Sequence, residues 1–372
     1  MSDAPTGDTL EPAAVDRAGR RRRLLFRLRR AVRVIEQRER IQDIGYGLLA
    51  SAFALSLPAV EPYTAGDEAL RRMGGEDVLT QGLLYPIGRG ALEVFGTATP
   101  ETTMRLLAGL AFGAALTMTL AFLRGLGFRR SATVPSALAA FAAPYAWVGG
   151  TSPIDYAPGL FGASLLLWSL FHQEQSTKRG YHWRAILSFG LAYMLHMEIA
   201  LLVPAVAWAV AKHPEYRREA QMNFYAVIVV LVMSITIGLA GTSEAARIAH
   251  LTERALAGAD EFPFGALGSW LVALPLGFGI ILFGVYQLLF ASRQVEAKRA
   301  PVWIVPWCMA ALVPVVAGSP QFQPIAPYLV PAGALGLADW LNRRGTAARE
   351  GRYGMLLVGL QLAATALVIT LS

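Results

Sequence analysis

Residues 185–211 read AILSFGLAYMLHMEIALLVPAVAWAVA. The run is long enough to cross a bilayer once, since about 20 apolar residues span the hydrocarbon core. Yet it carries His196 and Glu198 near its middle, where an ionisable side chain is costly unless it meets a partner or a polar cavity. Taken as one crossing, the run would put Lys212, Arg217 and Arg218 on the face opposite the N-terminal arginines and invert everything after it. Taken as two short helices meeting near His196-Met197-Glu198, it returns the chain to the face it started from.

The basic residues decide between the two, because cytoplasmic segments of membrane proteins are enriched in Lys and Arg. With the hairpin, 27 of the 33 Lys and Arg residues fall on one side, in the N-terminal arm and at 124–130, 172–184, 212–218, 293–299 and 343–352. The others are Arg71, Arg72, Arg89, Arg105, Arg247 and Arg254. This asymmetry predicts an all-α, polytopic transmembrane helical bundle of about 10–11 membrane segments, with the N-terminus cytoplasmic. Candidate spans are 43–60, 102–123, 131–149, 155–171, the two halves of 185–211, 222–241, 264–290, 301–318, 325–341 and 353–371. Half-helices reach partway through a bilayer, and they are tolerated where they line a protein-enclosed cavity.

Composition points the same way. The chain is 55% hydrophobic and 16% charged, with a mean hydropathy of +0.44, whereas soluble domains carry about 25% charged residues. The apolar runs are too long and continuous for the strands of a barrel. One cysteine, Cys308, excludes an intramolecular disulfide and a cysteine-clustered metal site. The formal charge of +7 does not imply nucleic acid, because eleven arginines between Arg17 and Arg40 alternate with Leu, Phe, Val and Ile. That pattern predicts a basic helix on an anionic membrane face. Residues 1–42 are therefore expected to be a disordered tail plus this cytoplasmic juxtamembrane helix, and 43–372 a transmembrane domain. No short apolar stretch with a cleavage site opens the chain, so no cleaved signal peptide is expected. No internal repeat, phosphate-binding loop, dinucleotide fingerprint or nucleophile elbow is present.

The longest polar interruption between the first two spans, EPYTAGDEALRRMGGEDVLTQGLLYPIGRG at 61–90, is expected on the outer face with the rest of the loop 61–101. It brings Asp67, Glu68, Glu76 and Asp77 together with Arg71, Arg72 and Arg89. A carboxylate at a cavity mouth can take a hydroxyl proton or hold a divalent cation, Mg or Mn, with Asp67 and Glu68 as the ligands. Arginines suit phosphate oxygens. A solvated amphipathic helix, its acids balancing its arginines, would explain the same residues. Asp155 and Tyr156 follow Ser152-Pro153 at a helix start, where Asp155 either complements the helix dipole or faces the cavity. His196 and Glu198 are either a packed histidine and a protonated or paired glutamate, or contacts for a pyrophosphate or sugar. Tyr328, in SPQFQPIAPYLVPAG at 319–333, suits sugar contact and, slightly better, an aromatic belt.

In order and spacing these stretches resemble the GT-C class of membrane glycosyltransferases, the superfamily of protein mannosyltransferases and of bacterial enzymes that move aminoarabinose to lipid A. The stretches that carry the resemblance are Gly66-Asp67-Glu68-Ala69-Leu70, Gly75-Glu76-Asp77 and Gly82-Leu83-Leu84-Tyr85-Pro86, then Arg105-Leu106-Leu107. Pro135, Pro144 and Ser152-Pro153-Ile154-Asp155-Tyr156 come next, with Gly190-Leu191 running to His196 and Pro204, and finally Pro327-Tyr328-Leu329-Val330-Pro331. Two positions depart from the pattern: His196 stands where lysine is common, and Pro327 where arginine is usual. The resemblance implies transfer of a sugar from a polyprenyl-phosphate donor to a cell-envelope glycan, lipid or protein acceptor, on the outer side of a bacterial-type inner membrane. Asp67 would be the base, with Glu68 beside it. Arg71, Arg72, Glu76, Asp77, Arg89, Asp155, Tyr156, His196, Glu198 and Tyr328 would hold substrate or lipid phosphate. Two readings of another class use the same features: a transporter or flippase for a lipid-linked substrate, and a non-catalytic membrane scaffold contacted through the arginine-rich arm.

Overall fold

A computed structural model describes residues 36–56, 90–91, 93–94, 100–144, 146–147, 156–175, 181–196, 199, 202–203, 205–206, 279–291, 307–308, 328–344 and 346–371. Among these, regular structure is entirely helical, as the long apolar runs require. The chain divides into two units, Met1–Gly45 and Tyr46–Ser372. The described part of the first, residues 36–45, is helical.

The helices are α1 (36–56), α2 (Pro100–Gly125), α3 (Arg130–Phe141), α4 (Tyr156–Gln175) and α5 (Tyr181–Leu195). They continue with α6 (Ile280–Tyr286), which runs into a π-helical turn Gln287–Ala291, then α7 (Leu329–Asn342) and α8 (Ala347–Leu371). Among the described residues one helix, within α2 at Thr102–Gly125, is long and apolar enough to cross a membrane. The expected span 131–149 is not continuous: α3 ends at Phe141 and the helix resumes at Pro144. Proline lacks an N–H to donate back up the helix but is well suited to a first helical turn, which is the place it takes here.

Small and hydroxylated side chains let the second unit's helices approach closely, as they do where lipid rather than water is the competing solvent. Between α2 and α4, the Thr119 hydroxyl donates to Ser164 at 3.1 Å. Ser169 and Ser188 share a 2.5 Å hydrogen bond between α4 and α5. On α6 and α7, Gly284 stands against the backbone of Gly333 and Gly336, where any Cβ would collide. Pro135 of α3 packs on Gly354 of α8 in the same way.

These contacts fix the helix directions. The pairs Thr119–Ser164 and Phe122–Phe171 make α2 parallel to α4, and Ser169–Ser188 with Gly162–Ala192 makes α5 antiparallel to α4. Ser131–Glu350 and Ala142–Thr365 make α3 parallel to α8. Thus α2, α4 and α7 end, and α3, α5 and α8 begin, at one end of the bundle. That end carries Arg124, Arg129, Arg130, Arg184, Arg343, Arg344, Arg349 and Arg352. Here Glu350, fully buried, accepts from Ser131 and from Arg129 at 3.3 Å, and Arg130 lies over the Tyr46 ring.

A second polar device lies deeper in the bundle. Gly279 precedes α6 with φ +49°, a conformation suited to glycine. The N–H of Ile280, one of the donors a helix start leaves without an intrahelical partner, donates to Gln361 Oε1 at 2.9 Å. Gln361 Nε2 donates to Thr365 at 3.3 Å, and the Thr365 hydroxyl donates to the carbonyl of Ala142 at 2.5 Å. One i, i+4 pair on α8 therefore ties the start of α6 to the interruption after α3.

Candidate functional site

The helix α5 stops at Leu195, one residue before His196. The break leaves the backbone satisfied: the His196 N–H still donates to Ala192 O at 2.9 Å, and its carbonyl accepts from Ile199 N–H at 3.2 Å in a tighter turn. An unbroken helix would set Ile199 about 10 Å beyond Ala192 along the axis. Instead, the Ile199 side-chain methyl lies beside Ala192 against Gly162 of α4, past the point where α5 stops.

Local propensity does not account for this, because Leu195-His196-Met197-Glu198 holds neither proline nor glycine. The cause lies in tertiary structure. Gly159, one turn into α4, stands against the His196 ring, and a Cβ there would stand 2.8 Å from ring carbon Cδ2. On another side Tyr328, at the entry to α7, brings its Oη to 2.5 Å from His196 Nδ1. The two rings are perpendicular, with centroids 5.7 Å apart. Tyr328 is held from behind by Trp307, whose indole N–H donates to the Tyr328 carbonyl at 3.1 Å. His196 is 2% exposed; Tyr328 and Trp307 are fully buried.

The pair lies at the opposite end of its helices from the arginines. A helix of 15 residues, α5, is about 22 Å long, and one of 14, α7, about 21 Å. His196 and Tyr328 therefore lie about 20 Å from the arginine end. When the phenol donates, Nδ1 accepts and the imidazole carries its proton on Nε2 as a donor. When Nδ1 donates, the phenol oxygen accepts and its own O–H donates to another acceptor. In each arrangement one donor points away from the shared bond. A low-dielectric surrounding strengthens such a bond.

Of the residues singled out in the sequence, His196 and Tyr328 are thus brought together across 132 positions. Tyr156 is the first residue of α4, one turn before Gly159. Asp67, Glu68, Arg71, Arg72, Glu76, Asp77, Arg89, Asp155 and Glu198 lie outside the described residues. Among the described residues no three His, Cys, Asp or Glu side chains converge as a metal site would require; the pair offered for a cation, Asp67 and Glu68, is not among them. Trp307 and Gly159 were not singled out in the sequence. An indole at this depth is the one signal that could have drawn attention to Trp307, since a buried N–H needs an acceptor.

Compared with known protein families the chain matches none, and no curated protein is significantly similar to it.

Proposed function

We propose that the chain is a multi-pass membrane protein of GT-C-like type, which moves a sugar from a polyprenyl-phosphate donor to a cell-envelope acceptor on the non-cytoplasmic side. The observation that supports this reading most is the His196–Tyr328 hydrogen bond. It joins two of the stretches on which the resemblance rests, at a helix break remote from the arginines. The helix directions support the membrane reading too, because they gather the arginine-bearing turns at one end as the positive-inside rule requires. So do the leucines left exposed on α8, Leu356, Leu360 and Leu367, which suit a lipid-facing surface.

In this proposal the Asp67 carboxylate takes the proton of the acceptor hydroxyl as its oxygen bonds to the sugar's anomeric carbon. The bond from that carbon to the phosphate oxygen breaks, and the polyprenyl phosphate leaves with its electron pair. Glu68 stands beside the base, while Arg71, Arg72 and Arg89 receive the phosphate charge. Glu76, Asp77, Asp155, Tyr156 and Glu198 line the cavity, and the His196–Tyr328 pair supplies a hydrogen-bond donor at its inner end. Reconstituted chain supplied with a labelled polyprenyl-phosphate sugar, together with mass spectrometry of envelope glycans from cells with and without the protein, tests the reading. Loss of one glycan species, and loss of transfer in Asp67→Asn at unchanged expression, are expected. Unchanged glycans with undiminished transfer in Asp67→Asn overturn it; movement of the intact donor across the bilayer without transfer makes the chain a transporter instead.

A further inference from the structure

On one face of α8, Arg349, Tyr353, Leu356, Leu360 and Leu367 follow one another at helical spacing. All five are exposed, and Arg352 is exposed beside them. The order along the helix is charge, then aromatic ring, then aliphatic chain. From Arg349 to Leu367 the rise is about 27 Å, close to the thickness of a hydrocarbon core. The preceding turn adds Arg344, whose guanidinium carbon lies 4.3 Å from the Trp340 ring centroid and 5.6 Å from that of Tyr353. Both nearby carboxylates are already engaged: Asp339 with Arg343, and the buried Glu350 with Arg129 and Ser131. Among the described residues, none neutralises Arg344, Arg349 or Arg352.

We propose that this surface binds the headgroups of anionic phospholipids. The three arginines meet the phosphate, Trp340 and Tyr353 occupy the interface, and the leucines of α8 lie along the acyl chains. Charge complementarity selects the occupant. A soluble acidic protein would match the arginines but would leave the adjoining leucine stripe in water, whereas a lipid satisfies both ends of the face. Contact with two rings restrains Arg344, and its planar fork matches two phosphate oxygens. The inference rests on the membrane reading of the bundle and is independent of sugar transfer.

The test uses the full chain in mild detergent, titrated with phosphatidylglycerol, with phosphatidylcholine or with inorganic phosphate, and followed by thermal unfolding and by retained lipid in native mass spectrometry. The N-terminal arginine arm is present in every variant, so its contribution cancels in the differences. Phosphatidylglycerol is expected to bind and stabilise more than phosphatidylcholine, with about fivefold weaker binding for each arginine neutralised. Arg349→Gln/Arg352→Gln, which leaves the stacked Arg344 in place, should lose about 25-fold while unfolding as the parent does in phosphatidylcholine. Arg344→Lys keeps the charge and should retain part of the preference that Arg344→Gln loses. Equal binding of the two lipids, an unchanged preference in the double variant, or equal protection by inorganic phosphate overturns the proposal. Release of the chain from membranes by alkaline carbonate would instead defeat the membrane reading itself, an outcome distinct from a membrane-retained chain that ignores headgroup charge.

Discussion

The phenol of Tyr328 and Nδ1 of His196 share a 2.5 Å hydrogen bond although 132 residues separate them, and both side chains are buried. It ties the point where α5 breaks to the point where α7 begins. Tyr328→Phe removes the hydroxyl and leaves a buried ring nitrogen to find another partner, which costs about 1–3 kcal/mol. His196→Ala should cost a similar or larger amount. The two should not add: a double-mutant cycle by denaturant unfolding in detergent should return a coupling of about 0.5–3 kcal/mol, the range for residues in direct contact. Simple additivity would mean that the bond carries nothing.

Two glycines on neighbouring helices should respond in opposite directions. At Gly159 a methyl group would enter the His196 ring, and Gly159→Ala should destabilise by about 1–3 kcal/mol, as overpacking does. Around Gly190, within α5, nothing lies within 4 Å of an added Cβ. Gly190→Ala should therefore be neutral or stabilising by up to about 1 kcal/mol, the usual gain of replacing a helix-interior glycine. Unfolding midpoints of the two variants, measured side by side, check the contrast.

The Arg129–Glu350 pair is asymmetric, its side chains being 56% and 0% exposed. Arg129→Ala removes a partly solvated partner and should cost no more than about 1 kcal/mol. Glu350→Ala strips a buried acceptor from Ser131 as well as from Arg129, and should cost about 1–3 kcal/mol. If the two substitutions prove equal in an unfolding assay, the buried acid is not the anchor of this turn.

Thr365 closes the polar chain from Ile280 to Ala142. Thr365→Val keeps the shape but removes the donor to the Ala142 carbonyl and the acceptor for Gln361, at a cost of about 1–3 kcal/mol. Thr365→Ser keeps the hydroxyl and should be close to the parent. Hydrogen exchange at the Ile280 amide provides a local reading, faster in the valine variant and unchanged in the serine variant.

How far the sequence could be read depended on the range of the force involved. Helix content follows from apolar runs that need no partner to be recognised, whereas the interruption after Phe141 falls inside a stretch expected to be one continuous span, 131–149. The end of α5 at Leu195 has no signal in its own residues, which are compatible with a helix, and most of the second half of the expected hairpin lies outside the described residues. The meeting of His196 with Tyr328 could not be read at all: each side chain has an adequate local explanation, and only packing against Gly159 and Trp307 selects the partner. Gln361 and Thr365 were passed over, although two polar residues one turn apart in an apolar helix are a pattern that predicts interhelical bonding. The π-helical turn at Gln287–Ala291 has no counterpart in the local sequence.

The chain has a single cysteine, and Cys308 is fully buried beside Trp307. A polar maleimide applied to folded protein will therefore find no native target. Any surface position changed to cysteine becomes the sole reactive thiol without first rebuilding the protein, so a labelling scan through the arginine-bearing turns and through positions 61–101 can test sidedness one residue at a time.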